Sequence, residues 1–237
     1  MENLLVMFGR NIKIKQRLTS NINLEVFVSS SICALGKMQM QVICLIGQKR
    51  VGKDTMADII QELDPEYQRF ALADPIKDIA RIMFNFSESQ LFDAEKDVLD
   101  ARWGIRPRDF FEKFGTDIMQ FDIYKYLPNL EATIPRRWFW VQSLINKIKG
   151  MKCQKVIITD VRGLHELDAI SNAFPNARFI KITRGNLSSS NCVKAHITQQ
   201  EPELIPLDKI DSIIENTGTL EELKEKVVKI ICNPKRI

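Results

Sequence analysis

The sequence predicts an α/β fold, a mostly parallel five-stranded sheet flanked by helices with a helical insertion after the second strand. Three observations predict it. Short apolar runs rich in β-branched residues alternate with longer stretches of helical periodicity, the pattern of crossover units that set neighbouring strands parallel. A turn with the spacing Gly-x4-Gly-Lys joins the first apolar run to the first helical stretch. A long, mainly helical pattern, residues 80–150, separates the second run from the third.

Taken in order, QVICLI (41–46) is a continuous apolar run, as a strand covered on both faces should be. TMADIIQEL follows as a helix, then QRFAL (68–72) as the second strand and PIKDIARIMF as the second helix. In the insertion, Pro107 suits a first helical turn, with Phe110, Phe111, Phe114 and Ile118 at core-facing spacing. A further insertion helix reads RRWFWVQSLINKI. KVIIT (155–159), RFIKIT (178–183) and DSIIE (211–215) complete the strands, and HELDAISNAF and LEELKEKVVKII supply the remaining helices. The last helix carries a start signal: Thr219 and Glu222 are spaced to cap each other's backbone amides, with Gly218 as the turn before them.

The 237 residues include 45% hydrophobic and 27% charged side chains, ordinary values for a globular chain that buries a sizeable core. A net charge of +4 suits a small anionic substrate but is too dispersed to argue for nucleic acid. No apolar run approaches the roughly 18 residues of a membrane span. Five scattered cysteines without C-x-x-C spacing and only two histidines, His165 and His196, argue against structural zinc and for reduced thiols. The expected setting is cytoplasmic.

Residues 1–37 differ from the rest: between Arg10 and Lys37 the only acid is Glu25. A flexible extension or an over-long start is the favoured reading, with Met38 or Met40 as natural starts. An organelle-targeting peptide and a secretory signal are the alternatives, the latter weakened by the serines that interrupt VFVSSSICAL. Residues 38–237 contain no repeat or linker and are expected to form one domain.

The turn GQKRVGKDT carries the chemistry. Gly47 and Gly52 let the backbone wrap a phosphate chain with its amides, and the helix amino terminus favours negative charge there. Lys53 is placed to reach the β and γ phosphates. Asp54 stands where such loops usually have Ser or Thr; it either helps hold Mg²⁺ or favours the first helical turn. Thr55 still supplies a hydroxyl. Gly47, Arg50, Val51, Gly52, Lys53, Asp54 and Thr55 are thus the expected nucleotide-binding residues.

The stretch GQKRVGKDTMADII resembles the phosphate loop of the bacteriophage-type deoxynucleoside monophosphate kinases, in which Gly-Lys-Asp-Thr is usual. The likeness continues through ALADPIKDIA (71–80), ARWGIRPRDFFEKFGTDI (101–118), IITDVRGLHELDAI (157–170), ITRG (182–185), AHIT (195–198) and ENTGTLEEL (215–223). It covers most of residues 40–225 and leaves out 1–37 and part of ITQQEPELIPLDKID. The resemblance implies a P-loop kinase fold, ATP and Mg²⁺, and a deoxynucleoside monophosphate as the partner that accepts the γ-phosphoryl group. It implies neither nucleic acid nor membrane as a partner, and leaves a homodimer open.

Such transfer needs in-line positioning and neutralised charge. The catalytic candidates are Lys53, Arg162, which follows the third strand, and Arg184, which ends the fourth and opens a lid-like stretch, GNLSSSN. Lys49 projects from the loop toward any approaching phosphate. Asp160 either orients a metal-bound water or ends its strand. For the acceptor, Asp74, Lys77, Trp103, Arg106, Arg108, Arg162 and Glu166 are the candidates, Trp103 being either a stacking face or an ordinary core aromatic. A phosphomevalonate-type metabolite kinase and a non-catalytic ATP-binding switch are the competing functions; no N-K-x-D motif supports a GTPase.

Overall fold

The computed structural model describes residues 40–185 and 201–232. The expectations for residues 1–37, the lid-like stretch from 186 and His196 lie outside the described residues.

Five strands form one sheet among the described residues: β1 (Gln41–Ile46), β2 (Tyr67–Phe70), β3 (Lys155–Val161), β4 (Arg178–Thr183) and β5 (Ser212–Glu215). Their spatial order is β2-β3-β1-β4-β5 and every pairing is parallel. All five therefore end at the same edge, and the order reverses around β1, where open α/β sheets hold ligands. This is the arrangement the alternation of elements predicts.

Strand alternation sorts the core into two faces. Val42, Cys44, Ile46, Val156, Ile158 and Phe179 point one way, onto helices α6 (Phe139–Gly150) and α7 (Leu164–Ala173). Ile43, Leu45, Ile157, Ile180, Ile182 and Ile214 point the other way, onto α1 (Lys53–Leu63) and α8 (Leu220–Cys232). Burial of both faces explains why β1, β3 and β4 read as near-continuous apolar runs. One irregularity bears on the site. The register slips between Cys44, opposite Ile158, and Ile46, opposite Val161. The extra residue on β3 returns Val161 to the same face as Ile158 and leaves Asp160 at the kink, free to bond outside the ladder.

The insertion begins after α2 (Asp74–Phe84) and comprises α3 (Glu88–Phe92), a 3-10 turn (Ala94–Asp97), α4 (Pro107–Glu112), a π-helix (Lys113–Asp122) and α5 (Ile123–Tyr126), before α6. Pro107 opens α4 as expected. The core spacing drawn through Phe110, Phe111, Phe114 and Ile118 fails at its last member. Ile118 is exposed while Thr116 and Gln120 are buried. The cause is the wider π turn: beyond Glu112 the 3.6-residue phase no longer holds, so the inward face moves to other residues. Phe84, Phe86, Phe110 and Phe114 stack into a small second core that reaches Trp140, whose indole N–H donates to the Gly115 carbonyl at 2.6 Å. At α8 the Thr219 hydroxyl accepts from the Glu222 amide at 3.3 Å, the forward half of the expected cap.

Candidate active site

The turn between β1 and α1 has the shape its glycines demand. Gly47 has φ +152°, and a Cβ there would lie 2.5 Å from the Ile182 carbonyl of β4. Gly52, φ +105°, caps α1, and a Cβ would meet the Asn216 amide nitrogen at 2.4 Å. Arg50 is also left-handed, φ 67°, with its side chain exposed. The Val51 side chain plugs the core beside Met56, so only its backbone faces the turn. The Lys53 ammonium folds over the turn and donates to the carbonyls of Gly47 (2.8 Å) and Gln48 (2.6 Å). Burial and the Arg162 cation hold it below the ordinary lysine value, opposed by Asp54 and Asp160. Thr55 is half-buried in the first turn of α1.

Two carboxylates thought of as metal candidates have clear protein partners. Asp54 is exposed and pairs with Arg69 of β2, which also donates to Asp58 at 3.0 Å. Asp160 accepts from the amides of Leu72 (2.6 Å) and Ala73 (3.1 Å), one on each oxygen, and so ties the β2–α2 connection to β3. Asp74, expected at the substrate, turns its carboxylate to the Ala71 amide at 2.9 Å and fixes the start of α2.

Glu166, also expected at the substrate, is used internally: one of its oxygens accepts from the Arg162 amide (2.7 Å) and the Gly163 amide (3.0 Å). Burial pushes its carboxyl up to about 7, against those two donations. The structure thus makes Glu166 the residue that sets the backbone of Arg162 at the end of β3. Arg184 is exposed at the end of β4.

A second group of cations joins Lys49 of the loop and Lys77 of α2 to Lys96 and Arg108 of the insertion. Lys49 is lowered by burial, then by Arg108, with Arg50 and Arg162 adding to the effect and Asp97 opposing it. Lys96 is lowered by burial, then by Arg108, Lys49 and Lys77, again opposed by Asp97. Lys77 stands 4.1 Å over the Phe92 ring, and Lys96 donates to the Phe92 carbonyl at 3.0 Å. The phosphate loop therefore faces a basic patch built from α2, the 3-10 turn and α4. Trp103 is half exposed, but its indole N–H is spent on the Phe84 carbonyl (2.9 Å) and its ring meets Phe84 edge-on at 5.3 Å, away from the cations in its described contacts. Arg106 pairs with Asp109 at 2.9 Å.

Sequence reasoning missed three residues here. Asn216, just past β5, donates from its amide to the Val51 carbonyl at 2.9 Å, while its own backbone N–H reaches Thr183 at 2.7 Å. An Asn ending a strand before Thr-Gly was the available signal. Lys96 and Asp97 sit in a stretch with no motif, and only the fold brings them to Lys49.

A family model described as deoxynucleotide monophosphate kinase matches residues 41–103 and 83–227, which include the loop, the insertion cations and Asn216. The chain belongs to the deoxynucleotide monophosphate kinase family. It is a kinase, a phosphotransferase for nucleotides or other small molecules. Among curated proteins no sequence match is found.

Solved structures that align include a sugar kinase from Janibacter sp. HTCC2649 (13% identity, 82% of this chain, 95% of that one, TM-score 0.43). A dephospho-CoA kinase from Campylobacter jejuni aligns with 16% identity over 82% and 97% of the two chains, TM-score 0.42. A shikimate kinase from Acinetobacter baumannii, in complex with shikimate, gives 12% identity, 86% and 98% coverage and TM-score 0.44. At these TM-scores the family match and the loop geometry carry the assignment alone. No helix among the described residues is long and apolar enough to cross a membrane.

Proposed function

We propose that the protein transfers the γ-phosphoryl group of ATP to a deoxynucleoside monophosphate, yielding ADP and the deoxynucleoside diphosphate. The observation that carries this reading is the pairing of two basic seats. One is the phosphate loop with Lys53; the other is the patch that Lys49 of the loop and Lys77 of α2 form with Lys96 and Arg108 of the insertion, Lys77 and Lys96 both lying against Phe92. A kinase whose acceptor is itself a phosphate must hold two polyanions end to end, and their repulsion needs this much positive charge between them.

Glycine at 47 and 52 lets the turn pack against β4 and Asn216, where a Cβ would strike the Ile182 carbonyl or the Asn216 amide. The turn's amides would cradle the phosphate chain at the positive end of α1. Lys53 would exchange its two carbonyl contacts for phosphate oxygens, and Arg162, its backbone set by Glu166, would neutralise the group in flight. Arg184 would approach from β4. Mg²⁺ is an ion held by one or two carboxylates and the substrate's own phosphates. Asp54 and Asp160 are the residues that would hold it; the ion would draw charge from the β and γ oxygens.

A coupled ADP-release assay with Mg²⁺-ATP and each of the four deoxynucleoside monophosphates tests the reading. Turnover of at least one is expected. Turnover of phosphomevalonate alone, or ATP binding with slow hydrolysis and no phosphorylated acceptor, would overturn it.

A further inference from the structure

Within the basic patch, Arg108 is committed to a carboxylate. Its Nε and Nη2 donate to the two oxygens of Asp97, the Nη2 contact at 3.1 Å. This is the two-pronged grip that a guanidinium gives a phosphate, so on this edge of Arg108 a carboxylate and a phosphate exclude each other. Asp97 closes the short 3-10 turn Ala94–Asp97, and its side chain is 50% exposed, against 26% for Arg108. Lys49 and Lys96 each feel both members of the pair. Asp97 thus sits as an anion among Arg108, Lys49 and Lys96, with Glu112 a second acid acting on Arg108.

We propose that Asp97 determines how tightly the acceptor is held: its carboxylate occupies the phosphate-gripping edge of Arg108 and is displaced by the phosphate of the deoxynucleoside monophosphate proposed above as acceptor. An exposed ion pair is weak, and the turn that carries Asp97 is short and solvated, so the exchange costs little. A monophosphate dianion meets Arg108, Lys49 and Lys96 together, whereas the carboxylate carries a single charge. The device keeps the acceptor seat from holding stray phosphate firmly and sets acceptor affinity without touching the ATP loop. The opposite role, a carboxylate that stays in place to aim Arg108, predicts the opposite sign on removal.

Asp97→Asn keeps the size of the side chain and removes its charge at an exposed position. Acceptor KM in this variant is expected to fall about three- to fivefold, the scale of a released surface pair, with KM for ATP unchanged. Inorganic phosphate, titrated by NMR into the ATP-free protein, is expected to bind more tightly by a similar factor. Asp97→Glu, which keeps the charge, should show neither change. An acceptor KM or phosphate affinity that is unaltered or weakened in Asp97→Asn overturns the proposal. Should the parental protein phosphorylate no monophosphate at all, the functional reading fails separately, and the phosphate titration still decides whether Asp97 competes for Arg108.

Discussion

Asn216 offers the sharpest test of how the phosphate loop is kept in shape. Its side-chain amide donates to the Val51 carbonyl at 2.9 Å, and its backbone is locked to β4 through Thr183. Truncation in Asn216→Ala removes one neutral hydrogen bond at a half-buried site that water can re-enter. The cost to folding is therefore about 1 kcal/mol, the low end for such bonds. Function should lose more. Without this tie the second half of the turn loses a direct link to β5, although Lys53 still bonds the Gly47 and Gln48 carbonyls of the first half, and a misplacement of about 1 Å in a phosphate cradle costs on the order of 100-fold in phosphotransfer. A double-mutant cycle isolates the contact. In the parent, Gly52→Ala places a Cβ 2.4 Å from the Asn216 amide nitrogen, but in Asn216→Ala that obstacle is gone. The Gly52→Ala penalty in urea denaturation should shrink by about 1 kcal/mol in the Asn216→Ala background, leaving only the left-handed strain. Additive penalties, or an Asn216→Ala enzyme with parental kcat and KM for ATP, would refute the clamp.

Lys53→Met should lower turnover at least about 100-fold, read by ADP release, while its melting temperature holds or rises, because a desolvated cation beside Arg162 is removed. Asp54→Ala should raise the Mg²⁺ concentration for half-maximal rate; an unchanged requirement would leave Asp54 as a helix-start acid tied to Arg69. Two buried neighbours should make stability depend on pH in opposite senses. Folded Glu166 keeps its proton up to about 7, above its ordinary 4.5, so its contribution is complete below about 4.5 and is lost as pH rises through 7. Folded His165 is pushed down to about 4 by burial and Arg137, from an ordinary 6.5, so its contribution is lost as pH falls from 6.5 through 4. The slopes oppose each other where the windows overlap. Glu166→Gln should therefore unmask a stability that rises by about 3 kcal/mol between pH 4 and 6.5, seen as a shift in the urea midpoint.

The strands, the helices, the parallel sheet and the phosphate loop were all legible in the chain, because each is written in short-range patterns. Continuous apolar runs, period-3.6 alternation and a glycine pair with lysine involve residues only a few positions apart. The helical phase in the insertion was misread at Ile118 because a π turn leaves no local mark that separates it from an α-helix. Among the site residues, Arg108 and Arg162 both act on Lys49, and Arg162 acts on Lys53. Glu166 and Asp74 were equally prominent in sequence, yet the fold turns their carboxylates onto backbone amides. A carboxylate beside a motif has the same one-letter code whether it meets a substrate or caps a helix.

The order of residues along the chain determined the class of fold and the presence of a phosphate cradle, since both follow from local conformational preference and the burial of apolar faces. The partners of that cradle were decided only when the chain closed on itself. Asn216 reaches Val51 across 165 residues, Asp160 holds Leu72 across 88, and Lys96 and Asp97 of the insertion act electrostatically with Lys49 of the loop. Hydrogen bonds and Coulomb forces act over a few ångströms of space, whatever the distance in sequence, so it is the packing of the helices and the crossing order of the strands that chooses which charges meet.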